Sequence, residues 1–362
     1  MPGRENASKQ QTRLSGRLRS NSQALKGILA SPAVADFCCG MGGLSLAATQ
    51  LGMRVVVGVD TNATAIRTFG NNFSTAKAIE GSVRSLNVLK RCSELLRPLN
   101  GHSAPFVIVS GPPCQGFSAA GSRNPADPRN QVLVAVARAV VRMKPLCALF
   151  ENVSMVLADK HCGRLTKFEG ILSDGGYFVR SVLLDAADFG VPQKRKRAFF
   201  LVSQCELDEQ EVRERLEQLK RPQQSVITAL KGLPTPAVRP DDYDDEQNYG
   251  NIPNHLAMQH SQRVMDKIAA LKPGTGPMSY RRLHPSRPSN TLFSGHRAPP
   301  SHFAEPRSIT VREAARLQGF PDSFRIYGSF ANQMEQVSNA VPPPLGRAVL
   351  KVLADLSGVP VS

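Results

Sequence analysis

The chain has 362 residues, and its 45 Lys and Arg against 29 Asp and Glu leave a net charge of +16; that length allows a large core split between two lobes, and that charge predicts attraction to a polyanion, foremost nucleic acid, with a merely basic soluble protein as the plain alternative. The sequence has no apolar run of 18 residues, which excludes a membrane-spanning helix. Its seven cysteines (Cys38 and Cys39 adjacent) lack zinc-type spacing, its seven histidines are scattered, and the odd thiol count without a secretory signal suggests a reducing compartment, so no metal is expected.

The first 30 residues hold six Lys or Arg, one Glu and several Ser and Gln, with no apolar periodicity. Residues 1–31 therefore read as a disordered basic arm able to lie along phosphates, while an organelle transit peptide of similar composition stays open. From residue 33, short apolar runs alternate with helical stretches. Strands are expected at 33–39, 53–60, 105–110, 146–150, 177–184 and 198–202, with helices starting near Gly43 and covering 61–72 and 131–143. This alternation predicts an α/β fold: an open, mostly parallel sheet with helices on both faces.

In such sheets ligands bind outside the carboxyl ends of the strands. The first strand ends in Asp36-Phe37-Cys38-Cys39-Gly40-Met41-Gly42-Gly43, whose glycines allow a tight turn and a close backbone approach to a ligand. The spacing is not the dinucleotide fingerprint, and a purely structural turn remains the alternative. Asp60, at the second strand end, is placed to accept hydrogen bonds from ribose hydroxyls. The strand at 105–110 ends in Gly111-Pro112-Pro113-Cys114-Gln115-Gly116-Phe117-Ser118, where two prolines stiffen a loop that could hold a nucleophilic thiol. A lone cysteine is more often a small buried hydrophobe, and the other six are read that way. Glu151-Asn152-Val153 follows a wholly apolar run. A carboxyl buried there would have a raised pKa and could donate a proton near neutrality. The basic run Gln193-Lys194-Arg195-Lys196-Arg197 is by itself most simply a solvated face.

Taken in order, these blocks resemble the DNA cytosine-5 methyltransferase family of bacterial type, over most of residues 33–350. Residues 36–43 look like the family's cofactor loop, 111–118 like its catalytic loop, 151–153 like its acid motif and 193–197 like its basic block. Arg287-Pro288-Ser289-Asn290-Thr291-Leu292 resembles the segment that organises the recognition domain, and Gln336-Val337-Ser338-Asn339-Ala340-Val341-Pro342-Pro343 the closing motif. The resemblance implies a Rossmann-like S-adenosylmethionine-dependent methyltransferase domain with a smaller target-recognition lobe. Its implied divisions are a catalytic and cofactor domain at 32–204, a small lobe at 205–305, a hinge at 306–335 and a return to the catalytic domain at 336–362.

The implied chemistry is methyl transfer from S-adenosyl-L-methionine to carbon 5 of cytosine in duplex DNA. By family analogy Cys114 adds to carbon 6, Glu151 hydrogen-bonds ring nitrogen 3, Arg197 contacts a flipped-out base and Arg195 positions the loop. The cofactor contacts implied are Cys39, Gly40, Met41, Gly43, Asp60, Ser82, Pro113 and Asn339. Two departures stand out: Cys38 replaces a stacking Phe, and Ser82 an Asp that bonds the adenine amino group. Loss of the aromatic contact should cost on the order of 1 kcal/mol.

In the small lobe, 208–220 is a charged helical pattern, and the acidic run at 241–246 reads as a solvated loop because it would repel phosphates. The recognition segment is short, so Arg281, Arg282 and Arg297 are read as positioning contacts to phosphate more than base readers. A monomer without membrane contact, cytoplasmic and nucleoid-associated, is expected, with a restriction endonuclease as a functional counterpart. Competing readings are an RNA cytosine-5 methyltransferase and a catalytically silent DNA-binding protein.

Overall fold

The apolar runs become strands of one sheet in the computed structural model, which describes residues 31–97, 105–113, 131–158, 162–245, 251–277, 280–293 and 299–362. The basic arm, Cys114 and Arg297 lie outside these residues. The strands are β1 Ala33–Phe37, β2 Arg54–Asp60, β3 Lys77–Glu80, β4 Phe106–Ser110, β5 Cys147–Val153, β6 Phe178–Asp185 and β7 Lys196–Ser203. The described helices are α1 Gly43–Thr49, α2 Ala63–Asn72, α3 Leu86–Leu96, α4 Val132–Met143, α5 Cys162–Asp174, α6 Glu209–Gln218, α7 Val226–Leu230, α8 Gln262–Ala269, α9 Val311–Leu317, α10 Phe330–Asn339 and α11 Pro343–Leu356. The sheet order is β3-β2-β1-β4-β5-β7-β6. Its first five strands pair in parallel, and β7 is antiparallel to both β5 and β6.

Central strands are buried on both faces, which explains their continuous apolar composition. Alternate residues serve opposite sides. Ala35, Ile108, Phe150 and Phe200 join a core with Val136 of α4 and Phe168 of α5, in which the Phe168 ring meets Phe150 and Phe200 edge-on at 5.0 and 5.3 Å. Val34, Val109, Leu149 and Phe199 face the other core, shared with Leu44 of α1 and Val349 and Leu353 of α11. Beyond α11 the chain ends against the start of β2, where the Ser362 N–H donates to the Leu51 carbonyl at 3.2 Å. No described helix is long and apolar enough to cross a membrane.

Several expectations shift. β5 runs through Val153 and does not stop at Phe150, because antiparallel β7 continues to pair beyond the parallel neighbour, down to Val153 opposite Arg197. Helix α6, expected in the small lobe, packs on α11 and buries Val212 and Leu216 in the main core. Among the other cysteines, Cys39, Cys92 and Cys147 are buried, whereas Cys205 is exposed.

The acidic run is not wholly solvated. Asp241, Asp242 and Asp244 are exposed, but Asp245 is docked on the Arg67 guanidinium of α2, with two N–H to oxygen contacts of 3.0 Å. Arg282, expected as a phosphate contact, is bonded to backbone. Its guanidinium donates to the carbonyls of Ala269, Leu271, Phe303 and Ala304, so it ties residues 269–271 to 303–304. The stretch expected as a hinge is densely bonded. Thr310 and Glu313 form a capping box on α9, Arg307 binds both Glu313 oxygens at 2.7 and 2.8 Å, and fully buried Arg312 donates to the carbonyls of Pro253, Pro321 and Phe324.

Candidate active site

The chain winds outward from β1 to β3 and then returns to place β4 on β1's other side, so the strand order reverses between β1 and β4. A crevice outside the carboxyl ends is expected at such a switch point. A cavity of about 300 Å³ opens there, lined by residues from the ends of β1, β2, β4 and β5 and from α10. Of the twelve residues singled out in the sequence, ten line it: Glu151, Arg195 and Arg197 with Cys39, Gly40, Gly43, Asp60, Ser82, Pro113 and Asn339. Cys114 follows directly on Pro113 but is outside the described residues. Met41 does not line the cavity; its side chain is buried in the core and only its backbone belongs to the turn.

The loop after β1 is shaped by backbone that L-residues seldom adopt. Cys38 and Gly40 have φ of +56° and +52°. Asp60 holds this loop in place: one oxygen accepts the Gly40 N–H at 2.8 Å and the other the Asn62 N–H at 2.9 Å. Lone pairs remain on both oxygens for a ligand. At Gly43 the closing motif comes so near that a Cβ would stand 2.2 Å from the Val341 carbonyl oxygen. Only glycine admits that contact. Ser82 carries its hydroxyl to the opposite side of the cavity, where its oxygen accepts the Arg84 N–H at 3.2 Å.

Asp36 was passed over in the sequence as part of a strand end. It is buried, lines the cavity and accepts the Ser45 hydroxyl at 2.7 Å, while its second oxygen has no hydrogen-bond partner. Burial raises its pKa to about 7, against the Ser45 hydrogen bonds and with a further push from Asp60. Two carboxyls and an open acceptor suit a cationic ligand with hydroxyls, and a methylsulfonium donor bearing an ammonium and a ribose meets that description. Burial, together with the charges of Asp60 and Asp36, drives the Cys38 thiol far above its ordinary range, which disfavours its thiolate.

The second half of the site is built on antiparallel pairing. Because β7 begins where β5 ends, its first residues share a rim with Glu151. Arg197 Nε lies 2.8 Å from Glu151 Oε1, an ion pair without hydrogen-bond alignment. Burial raises the Glu151 pKa; Arg197 first and Arg195 next oppose it without cancelling it. A methyl placed on Gly111 would sit 3.7 Å from Glu151 Oε2, so the start of the proline loop abuts the carboxyl. Asn152 donates to the Pro112 carbonyl at 3.4 Å and fastens that loop to the strand end. Gly111 and Cys114 are three residues apart, so their Cα atoms are at most about 11 Å apart.

Arg195 is buried and donates to the carbonyls of Ser338 at 2.7 Å and Ala340 at 3.3 Å, gripping the closing motif. Gln193 is buried beside it. Its amide binds Gln318 and the Leu317 carbonyl and accepts the Leu292 N–H at 3.1 Å. Thr291 and Ser289 also bond the main chain of Lys194, so the 287–292 segment is laced onto the basic block. Neither Asn152 nor Gln193 was assigned a role from sequence, since each depends on a partner distant in the chain.

Comparison with known proteins agrees with this geometry. The family model for C-5 cytosine-specific DNA methylase matches residues 33–355. The Type II methyltransferase M1.HphI of Haemophilus parahaemolyticus is 30% identical, over 89% of this chain and 86% of its own length. The Type II methyltransferase M.DdeI of Desulfomicrobium norvegicum is 29% identical, over 87% of each. Among solved structures, one described as a prophage-encoded DNA modification methyltransferase of E. coli covers 90% of this chain and 99% of its own at 28% identity, with a TM-score of 0.72. The chain therefore belongs to the family of C-5 cytosine-specific DNA methylases, and is an S-adenosylmethionine-dependent DNA (cytosine-5) methyltransferase.

Proposed function

We propose that the enzyme methylates cytosine in duplex DNA through a covalent adduct with Cys114 on a base turned out of the helix. The observation that supports this most directly is the buried Glu151 carboxyl beside the main chain that leads to Cys114, in a cavity with a raised pKa and an arginine on its flank. Cytosine C5 becomes nucleophilic only when a thiolate adds to C6. The Cys114 sulfur forms that bond, and the electron pair moves through the ring towards N3, where Glu151 supplies a proton. The bound donor supplies an electrophilic methyl to C5. Loss of the C5 proton to solvent then reforms the C5–C6 double bond as the C6–S bond breaks, Cys114 leaves as thiolate, and N3 returns its proton to Glu151. Arg197 fixes the Glu151 carboxyl, and Arg195 holds the closing motif against the cavity.

For the donor, Asp60 accepts from ribose hydroxyls, the Gly40–Gly43 turn presents its backbone, and Ser82, Pro113, Asn339 and Cys39 complete the walls. With no aromatic at Cys38, recognition of the adenine rests on shape and Ser82, which predicts binding of modest affinity. The names of the Type II relatives support DNA as the substrate and a paired endonuclease as counterpart. We read the enzyme as a monomer.

The test is a duplex carrying 5-fluorocytosine, from which the C5 substituent cannot leave as a proton. With donor present the wild type should remain covalently attached through denaturing electrophoresis. Cys114→Ala should give neither adduct nor methylation, and Glu151→Gln should slow both by about 10²-fold or more. Normal trapping by Cys114→Ala, or labelling of transfer RNA in place of duplex, would refute this assignment.

A further inference from the structure

The acidic run contains one residue that the chemistry above does not use. Asp245 lies in the stretch expected to form the small lobe, yet its partners come from α2 of the cofactor domain and from residues 325–328 just before α10. Its carboxylate takes both terminal nitrogens of Arg67 at 3.0 Å and the Gly328 N–H, and its carbonyl takes Arg325 at 2.8 Å. Both arginines also pack on the Tyr327 ring, with guanidinium carbons 4.6 and 5.1 Å from its centroid. The Asp245 carboxylate is the counter-charge to Arg67, and its backbone carbonyl holds Arg325 on the same ring. Its side chain is 13% exposed and that of Arg67 36%, so the pair is partly screened.

Each end of this cluster runs into a wall of the donor cavity. Arg67 sits on α2, whose first turn contributes Asn62 and Ala65 to the lining. Tyr327 receives through its carbonyl the Gln336 amide at 2.8 Å and donates its N–H to Thr68 at 3.0 Å. Gln336, Ser338 and Asn339 of α10 line the opposite wall. At Gly328, whose φ is +106°, a Cβ would lie 2.6 Å from Thr64, so the two walls already touch at this point.

We propose that Asp245 is a positioning residue for the methyl-donor site: by pairing its carboxylate with Arg67 and the Gly328 N–H it sets the spacing of α2 and the segment leading into α10, and thereby ties donor affinity to the docking of the stretch that carries it. The proposal rests on reading the cavity as the donor site. Asp245→Asn keeps the shape and removes the charge. Titration calorimetry with S-adenosylhomocysteine should show Kd raised about tenfold. KM for the donor should rise by a similar factor, while kcat at saturating donor stays within about twofold.

Two companion variants separate the outcomes. Arg67→Gln with Asp245→Asn should bind no worse than Asp245→Asn alone, because the interaction is already lost. Asp60→Asn, which alters the cavity itself, should weaken binding independently. If Asp245→Asn lowers Tm but leaves Kd and KM unchanged while Asp60→Asn weakens binding, Asp245 is only structural and the proposal falls. If Asp60→Asn also leaves Kd unchanged, the reading of the cavity fails and the proposal with it.

Discussion

At Asp36 a carboxyl is held in the core with one hydrogen bond and one open oxygen, and its proton affinity reports on that arrangement. Its pKa is raised from 3.8 to about 7, chiefly by burial. A raised carboxyl pKa means that the folded state keeps a proton the unfolded chain has released. Stability from this group is therefore complete below about pH 4 and falls as pH rises towards about 7, on the order of 1.4 kcal/mol per pH unit inside that window. Asp36→Asn should remove this slope. Melting temperatures of the two proteins should converge at pH 4 and separate in favour of the variant at pH 7.5, and parallel profiles would refute the assignment. Residues whose chemistry is unusual for their neighbourhood were legible in sequence as members of one cavity: Glu151 after an apolar run and Asp60 at a strand end. Asp36 was not, because a single Asp at a strand end carries no sign of whether its partner is water or Ser45.

At the scale of elements, the contact between α1 and the closing motif offers a direct test. With Val341 O only 2.2 Å from where a Cβ would stand, Gly43→Ala must displace backbone and not a flexible side chain. We expect a loss of about 2 kcal/mol in unfolding free energy, with donor binding weakened because α1 and residues 339–341 both border the cavity. Urea denaturation and calorimetry would check the two effects; unchanged stability would show that the motif can withdraw freely. Buried central strands were readable from their continuous apolar runs. β3 was not, since Lys77-Ala78-Ile79-Glu80 lies at the sheet edge and buries only Ile79. The place of α6 was also hidden. Its apolar positions are few, and nothing local indicates that they meet α11, which follows more than a hundred residues later.

For the molecule as a whole, charge and chain direction combine. Residue 31 adjoins the start of β1, at the rim opposite the cavity. Thirty residues can span up to about 100 Å when extended, enough to reach a duplex lying across the other rim. Deleting them should lower the slope of log Kd against log salt by about 0.9 for each phosphate that their six Lys and Arg neutralise. Methylation at low salt should persist; an unchanged slope would mean that the arm does not touch DNA. The largely parallel sheet and the order of its central strands along the chain were visible in the linear pattern. The bonds that Asp245, Ser289 and Thr291 make to α2 and to the basic block were not, because they join positions that only the folded chain brings together.

The anchoring of Ser362 to Leu51 has a practical side. The final residue is stitched to the rim where β2 begins, with the full depth of the sheet between it and the cavity. A dye, an affinity handle or a programmable DNA-targeting module joined after Ser362 would project away from both the donor and the incoming duplex. Attachment through this end to a solid support should accordingly leave turnover intact, and the enzyme is suited to being carried to chosen loci as a tethered writer of methyl marks.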